Sequence, residues 1–327
     1  MTTYILRRLA IGVGVLLLAS VLVFTLVAES GNPLGPLLAN PLTPQSTIRL
    51  KILALHLNDP LWQRYWIWFS HVIRGDFGVS NNGLGVGHQL QIHMFVTLRM
   101  VILSTVLSIF LAISVGLISA LRNGTVVDRG VSVVNFVFLS VPVFVVGLVL
   151  KTFVAVPIDQ HFNRVVLATA GEQNPLATGN FFQRLPDYAS HTILPTLTLV
   201  LATYASWAIY QRSTLLDVMN SDYVRLARAK GISPRRVLLR HILRNALIPV
   251  TTVIALDFAG ILGGAVITET VYGWNGLGRF FLDGVNNLDV NVTLAYLMLT
   301  AVIVILFNLM ADIAYGFLDP RIRYGKR

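Results

Sequence analysis

The 327-residue sequence contains no cysteine. Disulfides, thiolate zinc sites, iron–sulfur clusters and cysteine nucleophiles are therefore excluded. Charge is scarce as well: Asp, Glu, Lys and Arg make up 12% of the chain, about half the share in a typical soluble domain. No G-x-x-x-x-G-K-[ST] is present, so the chain has no motif of its own for cradling nucleotide phosphates. H-E-x-x-H and G-x-S-x-G are missing too, which removes two common hydrolase signatures. His88 and His93, the nearest external histidine pair, do not share a helical face at a spacing of five. No catalytic residue and no metal site are expected.

What the sequence has instead is apolar length: 55% of residues are hydrophobic, and they gather into blocks. A helix needs about 20 apolar residues to cross a bilayer. Leu9–Ala28, Met100–Leu121, Val131–Leu150, Thr192–Ile209 and Val292–Ala311 carry no charge, and Ala246–Thr268 carries only Asp257. The expected fold is all-α, a polytopic membrane protein with six transmembrane helices forming one domain over 1–327. The first block follows Arg7 and Arg8 but is longer than a secretory h-region and runs into Glu29-Ser30-Gly31-Asn32-Pro33. It is expected to be a retained anchor. Pro142 is expected to kink the third span, Lys151 to end it and snorkel outward, and Asp312 to lie at the inner boundary of the sixth.

The net charge of +10 would suggest nucleic acid in a soluble protein; here no nucleic acid is expected. With the amino terminus inside, segments 1–8, 122–130, 210–245 and 312–327 lie on one side, and 29–99, 151–191 and 269–291 on the other. Most of the 25 Lys and Arg residues fall in the first set and most of the 15 Asp and Glu in the second. That division matches the positive-inside rule and predicts both termini in the cytoplasm. Within the external segment 29–99, Leu61–Phe69 sets Trp62, Trp66 and Phe69 near one helical face, a pattern for an interfacial helix.

The longest inside loop, 210–245, carries the strongest local signals. Asp222 to Lys230 has good helix formers, Gly231 is a natural helix stop, and Ser233-Pro234 is a start signal. The reading is a short helix, a sharp turn, and a second helix running through Arg235, Arg236, Arg240 and Arg244 into the fifth span. So short a helix is not stable alone in water and needs a surface to pack on. Ala227 and Ala229 allow close approach, and Tyr223 and Leu226 offer apolar anchors. Anionic lipid and a partner protein both satisfy this pattern.

The run Ala227-Arg228-Ala229-Lys230-Gly231, followed by His241 and Ile248-Pro249, resembles the cytoplasmic loop signature of binding-protein-dependent ABC importer permeases. Gly260-Ile261-Leu262-Gly263-Gly264-Ala265, Trp274-Asn275-Gly276-Leu277-Gly278-Arg279, Arg74-Gly75-Asp76-Phe77-Gly78 and Leu318-Asp319-Pro320-Arg321-Ile322-Arg323-Tyr324 extend the likeness. Together they are similar to the B-type permease of dipeptide and oligopeptide importers. The resemblance implies a type I ABC importer permease fold in a bacterial cell membrane. It makes Asp222, Tyr223, Arg225, Ala227, Ala229 and Gly231 the ATPase-coupling helix. It implies a second homologous permease, two ATPase subunits (or one fused ATPase) that bind ATP and Mg, an extracytoplasmic substrate-binding protein, and a peptide substrate. No cofactor is expected in this chain. Relatives carry nickel, glutathione or other small solutes by the same mechanism.

Asp257 departs from the family pattern, which has an uncharged residue there. It is the candidate for the substrate pathway together with Trp274. A carboxylate at that depth faces a polar cavity or a pairing partner; a substrate amino group or basic side chain, a partner-subunit hydrogen bond and a protonated acid are the alternatives. Gly260 and Gly264 form a small-xxx-small pair expected to pack helices closely. A proton-coupled secondary transporter using Asp257 is the competing function. It is weakened by the lack of inverted repeats with paired broken helices.

Overall fold

In a bilayer every backbone N–H and C=O needs a partner within the protein, which favours uninterrupted helices. The computed structural model describes residues 2–176 and 178–318, with the side chains of 2–5, 181, 312 and 314–318 outside the description. The motif Asp319–Tyr324, the basic residues Arg321, Arg323, Lys326 and Arg327, and the Asp312 side chain therefore lie outside the described residues. In chain order the helices are α1 (Thr2–Glu29), α2 (Gly35–Ala39), α3 (Gln45–Ala54), α4 (Leu61–Ile73), α5 (Val86–Leu121), α6 (Val126–Ser140) and α7 (Val143–Val149). They continue with α8 (Val156–Phe162), α9 (Phe181–Met219), α10 (Asp222–Ala229), α11 (Pro234–Arg236), α12 (Arg244–Tyr272), α13 (Leu277–Asn286) and α14 (Val290–Leu318). Two π-helical stretches, Leu150–Ala155 and Val237–Leu243, join α7 to α8 and α11 to α12 without a break.

Among the described residues, 6 helical segments are long and apolar enough to cross a membrane: Leu6–Glu29, Val86–Leu121, Val143–Phe162, Phe182–Met219, Pro234–Tyr272 and Val290–Ala311. Each contains one of the apolar blocks, except the third. The expected third span, Val131–Leu150, is two helices. α6 stops at Ser140, Val141 is extended with φ −88° and ψ 126°, and Pro142 precedes α7. Pro142 ends a helix here instead of kinking one: it lacks an N–H and drives the residue before it out of the α region. Lys151 consequently stands within a span and not at its end. Its ammonium donates to the Val271 carbonyl at 3.0 Å and lies 5.6 Å from the centre of the Tyr272 ring. Pro186 and Pro195 are carried inside α9.

The chain clusters into two compact units. The first is built on Leu98–Trp274 and includes the end of α14 from Leu306; the second combines Leu6–Thr97 with Asn275–Ile305. In the first unit α9 packs on α6, α7 and α12. A Cβ on Gly116 of α5 would come within 2.9 Å of the Gln211 side chain of α9, so this contact requires glycine. At the same end of these helices the Asp128 carboxylate of α6 is buried. It accepts from Arg212 Nε at 2.7 Å and Nη2 at 2.8 Å, from Ser119 Oγ at 2.5 Å, and from the Gly124 N–H at 2.9 Å. This bidentate pair ties α5, α6 and α9 together. The Arg212 bonds, then Ser119, hold the Asp128 carboxyl well below the usual carboxylate range.

In the second unit the aromatic helix forms as expected, with Trp62 and Trp66 exposed. Phe69 meets Trp66 edge-on at 6.0 Å, as the shared face predicts, and also stacks on Tyr65 at 5.5 Å. Tyr65 and Trp68 close on Phe24 of α1, with ring centroids 5.6 and 5.3 Å away. Asp289 precedes α14 and accepts from Ser80 Oγ at 2.7 Å and from the Val292 N–H at 3.3 Å.

Because Asp128 is paired while folded and solvated when unfolded, its stabilisation is full above the ordinary carboxylate pKa and is lost as pH falls towards its lowered value. Asp128→Asn should destabilise the detergent-solubilised protein by ~3 kcal/mol, read as a lower melting temperature. The gap from wild type should be constant from neutral pH to about 4 and narrow below it.

Candidate functional site

α10 is eight residues long, below the length at which an isolated helix is stable in water. Its stability comes from one face. Val224 is 0% exposed and Ala227 6%, packed among Ala120, Leu215, Val237, Ile242 and Ala246. The turn after it is a Schellman motif. Gly231 takes φ +74°, its N–H donates to the Arg228 carbonyl at 3.0 Å, and the Ile232 N–H reaches the Ala227 carbonyl at 3.3 Å. Ile232 then packs against the same buried cluster. Ser233 occupies the N-cap position before Pro234 with φ −56° and ψ 141°, but its side chain makes no capping hydrogen bond; proline geometry alone starts the helix there.

The opposite face of α10 is open. Tyr223 is 44% and Leu226 56% exposed, and Asp222, Arg225, Ala229 and Lys230 are exposed around them. Asn245 Nδ2 donates to the Tyr223 hydroxyl at 3.4 Å and to the His241 carbonyl at 2.7 Å, anchoring this ring to the following helix. Asp222 and Arg225 approach to 3.6 Å, both exposed, a pair that adds little stability. Ala227 is thus a seat within its own chain and not part of the outward surface. The outward surface is Tyr223, Leu226 and a surrounding rim of charge.

The other candidates separate. Asp257 lies mid-way along α12, exposed on the single chain, where an unpaired carboxylate costs about 2.5–3.5 kcal/mol in a bilayer centre. Its Oδ2 accepts from the indole Nε1 of Trp207 at 2.8 Å, and Trp207 is itself fully buried. Gly264 packs as expected, its Cβ position 3.4 Å from Leu199 of α9, but Gly260 has no atom within 4 Å. The expected glycine pair therefore packs at one member and leaves the other open. Trp274 is 0% exposed and offers no surface to a pathway. It is covered by the Arg99 guanidinium, 5.0 Å from its ring centre, which is also 5.3 Å from Tyr188 and donates to the Glu172 carbonyl at 3.2 Å.

Comparison with known proteins places this geometry. Residues 112–324 match the model of the binding-protein-dependent transport system inner membrane component. The chain belongs to this family. Over 324 residues the permease is 37% identical to the oligopeptide transport system permease protein OppB of Mycobacterium tuberculosis, covering 99% of each chain. It is 36% identical over 327 residues to the oligopeptide transport system permease protein AppB of Bacillus subtilis, covering 99% of this chain and 100% of that one. The inward-facing MetNI methionine ABC transporter shares the fold, with TM-score 0.54 at 18% identity over 71% of this chain and 96% of that one. The fold is that of a type I ABC importer permease, embedded in the membrane. The matched region takes in α10, Asp257 and both glycines, while α2–α4 lie outside it and inside the full-length relatives.

Two residues of the permease carry the site without an obvious sequence signal. Val224 seats α10, and its only signal is its spacing of three from Ala227. Trp207 orients Asp257; a buried indole needs an acceptor, but fifty residues separate the two. In Ala227→Glu the helix should lift off, and trypsin should cut after Arg225, Arg228 and Lys230 many-fold faster than in wild type, as seen by mass spectrometry of the solubilised permease. Tyr223→Ala, on the open face, should leave the cleavage rate unchanged.

Proposed function

We propose that this permease forms, with a second homologous permease, the membrane pathway of an importer for di- or oligopeptides. The chain itself hydrolyses nothing. ATP and Mg are held by two ATPase subunits, or one fused ATPase, and a binding protein delivers substrate from outside. The positive-inside charge division supports both termini in the cytoplasm, with α10 on the ATPase side. Peptide is supported by relatives named oligopeptide permeases along their whole length.

The observation that carries this reading is the construction of α10. A helix used to transmit motion needs a rigid attachment to the spans and a free surface for the partner that moves it. α10 has Val224 and Ala227 buried against the ends of neighbouring spans, and Tyr223 and Leu226 outward. An apolar pair ringed by charge suits a groove in a soluble protein: the aromatic and aliphatic anchors supply affinity and the rim supplies orientation. Nucleotide-driven movement of the ATPases then acts on α9 and α12 through the shared cluster, and the spans alternate between outward and inward access.

The test is ATP-dependent uptake in proteoliposomes carrying the whole complex. Tyr223→Ala combined with Leu226→Ala should abolish recovery of the ATPase subunits with the permease, and uptake with it, while membrane insertion stays normal. Gly231→Pro should give the same phenotype, since proline has no access to φ +74°. Full uptake in both variants would refute the coupling role.

A further inference from the structure

Asp257 is the one charge in the apolar stretch 246–268, about 20 Å from either end of α12 at 1.5 Å per residue. An ionised carboxylate at that depth faces a cavity or a partner, not lipid tails. Two observations define what stands before it. Trp207, buried beneath, donates to Oδ2, which fixes the carboxylate plane and leaves Oδ1 with no hydrogen bond among the described residues. Gly260 and Gly263, one and nearly two turns further along α12, have no atom within 4 Å of a would-be Cβ, and Ala259 beside them is exposed. An oriented acceptor therefore sits beside exposed backbone of α12 that carries no side chain at Gly260 and Gly263.

We propose that Asp257 is the recognition point for the α-ammonium group of a peptide in transit, with the Gly260–Gly263 backbone accommodating its first residues. This rests on the peptide-importer reading above. Peptides of any composition share an ammonium, a carboxylate and amides, and a single oriented carboxylate selects the first of these by a charge-assisted hydrogen bond. The bare glycine face leaves room for varied side chains. Trp207 is a positioning residue.

The experiment compares uptake of radiolabelled trialanine and N-acetyl-trialanine by the reconstituted complex. The same binding protein is used throughout, so that its own preference cancels. Asp257→Asn keeps an acceptor for Trp207 and removes the charge. It should lower the ratio of free to acetylated uptake about tenfold or more by loss of trialanine uptake alone, with Asp257→Glu restoring part of the ratio. Trp207→Phe should lower the ratio less than Asp257→Asn. An unchanged ratio, an equal fall for both peptides, or loss of the second permease from the purified Asp257→Asn complex would overturn the proposal, the last by making Asp257 an interface residue. A wild-type complex that carries neither peptide would instead overturn the peptide-importer reading, and this inference with it.

Discussion

Burial of Val224 and Ala227 among Leu215, Val237, Ile242 and Ala246 is the contact on which the proposed coupling role of α10 depends. It joins an eight-residue helix that is unstable alone to the ends of two membrane-spanning helices. A fully buried valine is worth about 1.5–3 kcal/mol, enough to hold the helix when a Schellman turn closes its end. Interiors are close-packed and transmit displacement without slack. A force on the outward face is thus delivered to α9 and α12, the pair that dominates the packing of this unit.

The same unit shows how a membrane protein places its few polar side chains. Asp128 is satisfied by Arg212, Ser119 and the Gly124 N–H, which bolts three helices together at one end. Lys151 is satisfied by a carbonyl of α12. Among the described residues Asp257 is half satisfied, by Trp207 alone. The first two bind helix to helix, and Asp128 has its acceptor sites filled. The third keeps an oxygen free on an open face, which sets it apart from the structural pairs.

Outside the bilayer the demands differ. α4 gains its stability from rings, with Tyr65 and Trp68 on Phe24 near the end of α1, and it leaves Trp62 and Trp66 outward. Aromatic side chains with a polar edge suit a membrane–water boundary. Nearby, Asp289 caps α14 and gathers the Ser80 loop, so a carboxylate orders an irregular segment that has little apolar surface to bury.

The sequence alone determined the fold class, the number of crossing helices, the α10–turn–α11 unit and the membership later established by comparison. The first three rest on local physics: apolar length against bilayer thickness, glycine at positive φ, proline at a helix start; the membership rests on the likeness of several motifs to those of the family. Tertiary structure decided what depends on neighbours remote in the chain. It moved the third span to Val143–Phe162, because Pro142 ends a helix where composition sees a continuous apolar run. It turned Ala227 inward and buried Trp274 beneath Arg99, since spacing defines a face but not what covers it. It also gave Asp257 its indole partner from another helix, a pairing that no local pattern encodes.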